Sequence, residues 1–202
     1  MFDSSFFDKV CVITGGCGFI GSRLAEKILE AGASKIILID SLDYGSLDNI
    51  SNIRRKVELI THRICSTSRN ILLNTFKGTD FVFHLAAEKH NQSLDDPQRL
   101  IETNIAGTYE VLRSSFEAKV KKVVFASSLY AYGPISIPSI SESYVPLPDT
   151  IYGMSKLSGE HLCRHFSNKF GLSSVCLRYF FVYGPKQYAN MGYKSVIVKN
   201  FE

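Results

Sequence analysis

Tyr152 and Lys156 stand four residues apart in the run Ile151-Tyr152-Gly153-Met154-Ser155-Lys156, a spacing that on a helix puts a phenol and an ammonium on one face. A phenol with an ordinary pKa of about 10 is a poor proton acceptor at neutral pH, and a neighbouring cation favours its ionised form. The pair therefore predicts a base suited to taking a proton from an alcohol. The same spacing is common on solvated helix faces, so its meaning depends on what else the chain carries.

A second chemical feature lies near the N-terminus. Val10 to Thr14 reads as a short buried strand running into Gly15-Gly16-Cys17-Gly18-Phe19-Ile20-Gly21, followed by a helical pattern through Leu24, Ile28 and Leu29. In such a turn Gly15 permits the tight bend, Gly18 lets backbone N–H groups approach a pyrophosphate, and Gly21 lets the helix pack against the strand. The next apolar run, Lys35 to Ile39, ends in Asp40, about twenty residues past the last glycine, where a carboxylate accepts hydrogen bonds from ribose hydroxyls. Asp40 would repel a 2'-phosphate, which favours NAD over NADP; Arg23 and Arg54 are the nearby cations that argue the other way. Cys17 sits beside a helix start, where a thiol is acidified. A small residue filling a tight turn is the competing reading.

These groups need a scaffold, and the rest of the sequence supplies one. With 202 residues, 45% of them hydrophobic and 21% charged, the chain can bury the core of one large domain. The formal net charge of +4 is spread over interspersed acids and bases, and Arg54-Arg55-Lys56 reads as a solvated face, so neither nucleic acid nor a membrane surface is an expected partner. The five cysteines lack paired spacing and no basic, apolar leader opens the chain, from which a reduced, cytoplasmic setting is expected. No metal site is expected.

Strand-like runs at Val57 to Thr61, Asp80 to Leu85, Lys122 to Ser127 and Ser174 to Phe180 follow the first two, with helical patterns centred near Leu72, Ile105 and Leu162. This alternation predicts an α/β fold, a doubly wound parallel sheet covered by helices on both faces with its sites at the carboxyl ends of the strands. Gly15, Asp40, Ala86 and Ser128 all fall at such ends. The segment from Pro134 to Pro148, rich in proline and serine, reads as a surface loop placed to act as a lid.

At this point the residues resemble a known family, the NAD-dependent epimerase/dehydratase group of the extended short-chain dehydrogenase/reductases. Thr14 to Gly21 looks like its cofactor loop, His84-Leu85-Ala86-Ala87 like its fourth-strand motif, and Thr103 to Thr108 like the following helix. Ser127-Ser128-Leu129-Tyr130-Ala131-Tyr132-Gly133 resembles the active-site serine segment, and Leu177 to Phe180 with Tyr183-Gly184-Pro185 the sixth-strand signature. The resemblance implies a Rossmann domain over residues 1–185 carrying the catalytic residues, and the start of a substrate-binding lobe over residues 186–202. It implies Ser128, Tyr152 and Lys156 as catalytic residues. Around NAD it implies Gly15, Gly18, Phe19, Ile20, Gly21, Asp40, Arg63, Ile64, Ala86, Ala87, Lys89, Asn104, Tyr152, Lys156 and Tyr179. Tyr152 would be the acid/base, Lys156 would bind the nicotinamide ribose and lower the Tyr152 pKa, and Ser128 would hydrogen-bond the reacting hydroxyl. For Asn104, satisfying a buried backbone group is the reading from chemistry alone. Lys89 reads equally as a solvated side chain.

The implied substrate is a nucleotide sugar, with a UDP-hexose favoured and a homodimer admitted. The 4,6-dehydratases of the family follow the active-site serine or threonine with an acidic pair, whereas Leu129 and Tyr130 stand here, which favours 4-epimerisation. Two other positions depart from the family pattern: Arg63 replaces an aspartate that holds the adenine, and Phe181 replaces an asparagine that touches substrate. Members also carry a second lobe on the order of a hundred residues or more. That leaves a shortened enzyme, an enzyme completed by another polypeptide, and a cofactor-binding domain without turnover as open readings, beside a 4,6-dehydratase.

Overall fold

The computed structural model describes residues 4–185 and Gln187. After a single turn at Ser4–Phe6, β1 (Val10–Thr14) leads through the glycine turn into α1 (Phe19–Glu30), followed by β2 (Lys35–Asp40), β3 (Glu58–Thr61), α2 (Arg69–Phe76) and β4 (Phe81–His84). Two short helices, α3 (Gln92–Asp95) and α4 (Pro97–Ile101), run through a wider π-helical turn, Glu102–Gly107, into α5 (Thr108–Glu117). β5 (Lys122–Ser128), α6 (Ile151–Phe170) and β6 (Ser174–Tyr179) complete the order. The six strand expectations hold, with ends shifted by a residue at most. The expected lobe start at 186–202 lies, apart from Gln187, outside the described residues.

All strand pairs are parallel, and the sheet order is β3-β2-β1-β4-β5-β6. The chain winds outward from β1 to β3, then crosses back to lay β4 on the other side of β1, with Thr14 paired to His84. At that reversal the loops leaving β1 and β4 diverge and open a crevice at the carboxyl edge of the sheet.

Both faces of the sheet are buried, which is why its strands read as unbroken apolar runs. Side chains alternate between faces along each strand. Cys11 and Ile13 of β1 pack with Ile36, Leu38, Ala25, Ile28 and Ile50 on the α1 side. Val12 turns the other way and packs with Ile37, Ile39, Val82, Phe125, Leu72, Phe76, Val111 and Phe166 beneath α2, α5 and α6. The edge strand β6 is covered on one face only: Val175 and Leu177 remain 41% and 39% exposed.

α6, which carries Tyr152 and Lys156, has well-defined ends. Thr150 caps it by accepting from Gly153 N–H at 3.0 Å, and Gly171 ends it in the left-handed conformation at φ 71°.

Candidate active site

The carboxyl ends of β1, β2, β4, β5 and β6 surround a cleft of about 410 Å³. Of the sequence-predicted residues, Gly15, Gly18, Phe19, Ile20, Gly21, Asp40, Arg63, Ile64, Ala86, Ala87, Lys89, Ser128, Tyr152, Lys156 and Tyr179 all line it. Asn104 does not.

At one end of the cleft the glycine turn carries no obstruction. Gly15 has φ 70°, and a Cβ there would lie 2.9 Å from the backbone nitrogen of Ala86. A Cβ at Gly21 would lie 2.1 Å from the Gly15 carbonyl oxygen. Gly21 thus admits the turn itself rather than the strand that sequence reasoning assigned to it. α1 begins at Gly18 without a side-chain cap and with no acid in its first turn, so its leading N–H groups face the cleft with no side chain of their own to bond. Free N–H groups and the helix dipole at such an end favour an anion.

Asp40 is buried, and its carboxylate accepts from Cys17 N–H at 2.9 Å and Leu42 N–H at 2.8 Å. Burial pushes its pKa up, against those two N–H groups, which pull it down. The residue therefore locks the glycine turn to the end of β2 while retaining lone pairs for a diol, since a carboxylate has about four acceptor sites. Cys17 is fully buried, and burial followed by the nearby Asp40 pushes its thiol up to about 12. It is a turn filler, not a reactive thiol. All five cysteines are free.

At the other end lies the trio expected from sequence. Ser128 stands beside Tyr152, and its hydroxyl accepts from Tyr130 N–H at 3.3 Å. Lys156 is buried, donates to the Ala126 carbonyl at 2.9 Å, and stands 5.7 Å from the Tyr152 ring centre. Burial lowers its pKa to about 8. One expectation is corrected here. Tyr152 is shifted upward, because its own burial outweighs the Ser128 hydrogen bond and Tyr130 adds to the rise; the Lys156 ammonium, tied to a backbone carbonyl, does not set its value.

Sequence reasoning missed a set of aromatic and charged neighbours. The His90 ring lies parallel to Tyr152 at 6.0 Å and edge-on to Tyr130 at 4.5 Å. The buried Glu88 accepts from Tyr44 hydroxyl at 2.7 Å and Arg99 at 2.7 Å, and the Lys89 ammonium sits 4.0 Å from the Tyr44 ring centre. Glu88 carried a sequence signal, since an acid inside an apolar strand-end motif needs partners, but nothing in the spacing names Tyr44 or Arg99.

Asn104 stands behind this wall. Its amide accepts from Glu88 N–H at 2.8 Å, donates to Glu88 carbonyl at 3.2 Å, and donates to Ser155 at 3.1 Å. It is corrected from a cofactor contact to a residue that fixes the β4 loop against α6, as its chemistry alone predicts. The segment expected as a lid is corrected too: none of residues 134–148 lines the cleft. It is drawn toward β6 instead, through Leu147 N–H to Tyr132 carbonyl at 3.0 Å and Arg178 to Glu142 carbonyl at 3.4 Å.

A doubly wound parallel sheet, an uncapped glycine turn with an acid after β2, and a Ser-Tyr-Lys trio after β5 define a dinucleotide-binding domain with an acid/base centre. The chain belongs to the NAD dependent epimerase/dehydratase family, whose model matches residues 11–201. NAD is the cofactor of that family. The chain is 34% identical over 186 residues to a UDP-glucose 4-epimerase of Halalkalibacterium halodurans, covering 90% of this chain and 53% of that protein. It is 33% identical over 202 residues to a dTDP-D-glucose 4,6-dehydratase of Dictyostelium discoideum, covering 92% and 46%. Among solved structures, a UDP-N-acetylglucosamine 4-epimerase from Methanobrevibacter ruminantium, in complex with UDP-N-acetylmuramic acid, superposes with a TM-score of 0.87 at 33% identity, covering 97% of this chain and 64% of that one. A dTDP-glucose 4,6-dehydratase from Streptomyces venezuelae with NAD bound gives 0.83 at 30% identity, covering 88% and 57%. The chain spans about half the length of the curated relatives it matches.

Proposed function

We propose that the protein acts on a nucleotide sugar as an NAD-dependent epimerase of the UDP-hexose 4-epimerase type. When bound, NAD supplies a reversible hydride acceptor for the sugar C4. The chain's own residues do the rest. The glycine turn and α1 N-terminus would hold the pyrophosphate, Asp40 the adenosine ribose, and Lys156 the nicotinamide ribose. Tyr152 would take the C4 hydroxyl proton and later return it, the positive charge of a bound nicotinamide favouring the phenolate against the burial that raises its pKa, while Ser128 beside it would hold that hydroxyl in line. The half-buried rings of His90, Tyr130 and Tyr152, packed on one another, would shield the reacting face from water.

One observation carries epimerisation over dehydration. Elimination of water needs a second acid and base beside the sugar, and among the described residues the cleft contains two carboxylates, Asp40 and Glu88. Asp40 holds the Cys17 and Leu42 N–H groups, and Glu88 holds Tyr44 and Arg99. The positions after Ser128 carry Leu129 and Tyr130. Reversible oxidation needs no such pair, since the proton and hydride that leave one face return to the other.

The test is product analysis by NMR with UDP-glucose, UDP-galactose and their N-acetylated forms in the presence of NAD. Interconversion of the 4-epimers without a 4-keto-6-deoxy sugar is expected. Accumulation of the deoxy sugar would identify a dehydratase, and NAD binding with no turnover of any of these sugars would favour the non-catalytic reading.

A further inference from the structure

Arg63 is the guanidinium that lines the cleft among the described residues, and its pairing with Asp43 draws it toward Asp40, the end of the cleft where a 2'-phosphate would lie. Asp40 pairs with Thr61 across β2 and β3, and the Asp40 carbonyl accepts from His62 N–H at 2.9 Å, so Arg63 leaves the sheet one step beyond the ribose-binding acid. An arginine in that place ordinarily forks a phosphate and would favour NADP. Asp40 argues for NAD. The two residues pull cofactor choice in opposite directions.

Asp43 resolves the conflict. One oxygen of its carboxylate, Oδ2, accepts from Arg63 at 2.8 Å and from Arg99 at 2.9 Å. Arg99 is held on its other side by Glu88 at 2.7 Å, so it is anchored between two acids, and the anchored Arg99 in turn fixes Asp43. Arg63 is thus neutralised by an acid that cannot swing away without abandoning Arg99. We propose that Asp43 is a cofactor-specificity residue: by occupying Arg63 and adding a second negative charge beside Asp40, it denies the guanidinium to a 2'-phosphate. The inference rests on the NAD-binding reading and adds a residue that the glycine turn and Asp40 do not explain.

The pair is not strong in itself, since the Arg63 and Asp43 side chains are 42% and 31% exposed. Ion pairs this wet contribute little to stability. The effect on a phosphate dianion is separate, because removing Asp43 both frees a cation and deletes a like charge in the same few ångströms.

The experiment measures dissociation constants of NAD and NADP for the full chain and for Asp43→Asn, Asp43→Ser, Arg63→Ala and the double variant Asp43→Asn/Arg63→Ala, each checked for cooperative unfolding. Both Asp43 variants should bind NADP on the order of tenfold more tightly than the unmutated chain, with NAD affinity within about twofold. The NADP gain should shrink with added salt, and it should be smaller when Arg63 is also replaced, because only the deleted like charge then remains. Unchanged NADP-to-NAD ratios in both single Asp43 variants would overturn the proposal, as would a gain that loss of Arg63 leaves undiminished. A chain that bound neither dinucleotide would instead refute the NAD reading itself, whereas NAD binding with an unaltered ratio refutes only the role of Asp43.

Discussion

At the scale of single residues, the sequence names Ser128, Tyr152 and Lys156, and the fold brings them together at the end of β5. What a linear reading cannot supply is solvation. Lys156 is fully enclosed, with a pKa lowered to about 8 from the ordinary 10.5, and this has a consequence for stability. Below pH 8 both folded and unfolded lysine are charged and the cost of burying that charge is fully present. Between about pH 8 and 10.5 the unfolded state binds more protons than the folded one, so stability rises with pH across that window. Urea titrations of the protein and Lys156→Met at several pH values should show a difference that narrows by on the order of 3 kcal/mol as this window is crossed. A difference independent of pH would place the lysine in water. The same reasoning explains the opposite sign at Tyr152: spacing alone predicts a phenol acidified by its neighbour, whereas burial, which spacing does not report, raises it. Glu88 is the other residue that spacing hides, because its partners Tyr44 and Arg99 come from the β2 loop and α4.

At the scale of elements, the central strands and the glycine turn are legible because those strands are buried on both faces and punctuated by glycine or by an acid. The stretch before α5 is not. A helical period of 3.6 puts Ile101 and Ile105 inward, yet Ile101 is 47% exposed and the buried residues of the Glu102–Gly107 turn are Thr103, Asn104 and Gly107. A π-helical turn adds a residue to the ring of each hydrogen bond and rotates the inward face, which directs the Asn104 amide onto Glu88. The proline-rich loop is equally opaque, because its tethers, Leu147 N–H on the Tyr132 carbonyl and Arg178 on the Glu142 carbonyl, join segments distant in sequence. The glycine turn carries its own prediction. In Gly21→Ala the new methyl would meet the Gly15 carbonyl oxygen at 2.1 Å, so backbone must shift. Stability should fall by about 1–3 kcal/mol, as in other overpacked sites. NAD affinity should fall at least about tenfold as the α1 N–H groups turn away. Urea unfolding and an NAD titration measure both, and an alanine variant indistinguishable from the original would show that the turn is looser than its contacts indicate.

At the scale of the molecule, the parallel sheet divides the cleft: the loops after β1 to β3 present backbone N–H groups and paired charges, as the proposed adenosine end requires, and those after β4 and β5 present aromatic rings around the proposed acid/base. No helix among the described residues is long and apolar enough to cross a membrane. Val175 and Leu177 leave one face of β6 41% and 39% exposed. The central claim is that one cleft holds NAD and removes a sugar proton through Tyr152. Its most direct test is Tyr152→Phe, followed by NAD titration and by the rate at which bound nicotinamide is reduced when UDP-hexose is added. The phenylalanine variant should bind NAD within about twofold of the original while the reduction rate falls at least about a hundredfold, the scale of a lost acid/base. Reduction at the unmutated rate in Tyr152→Phe would contradict the account.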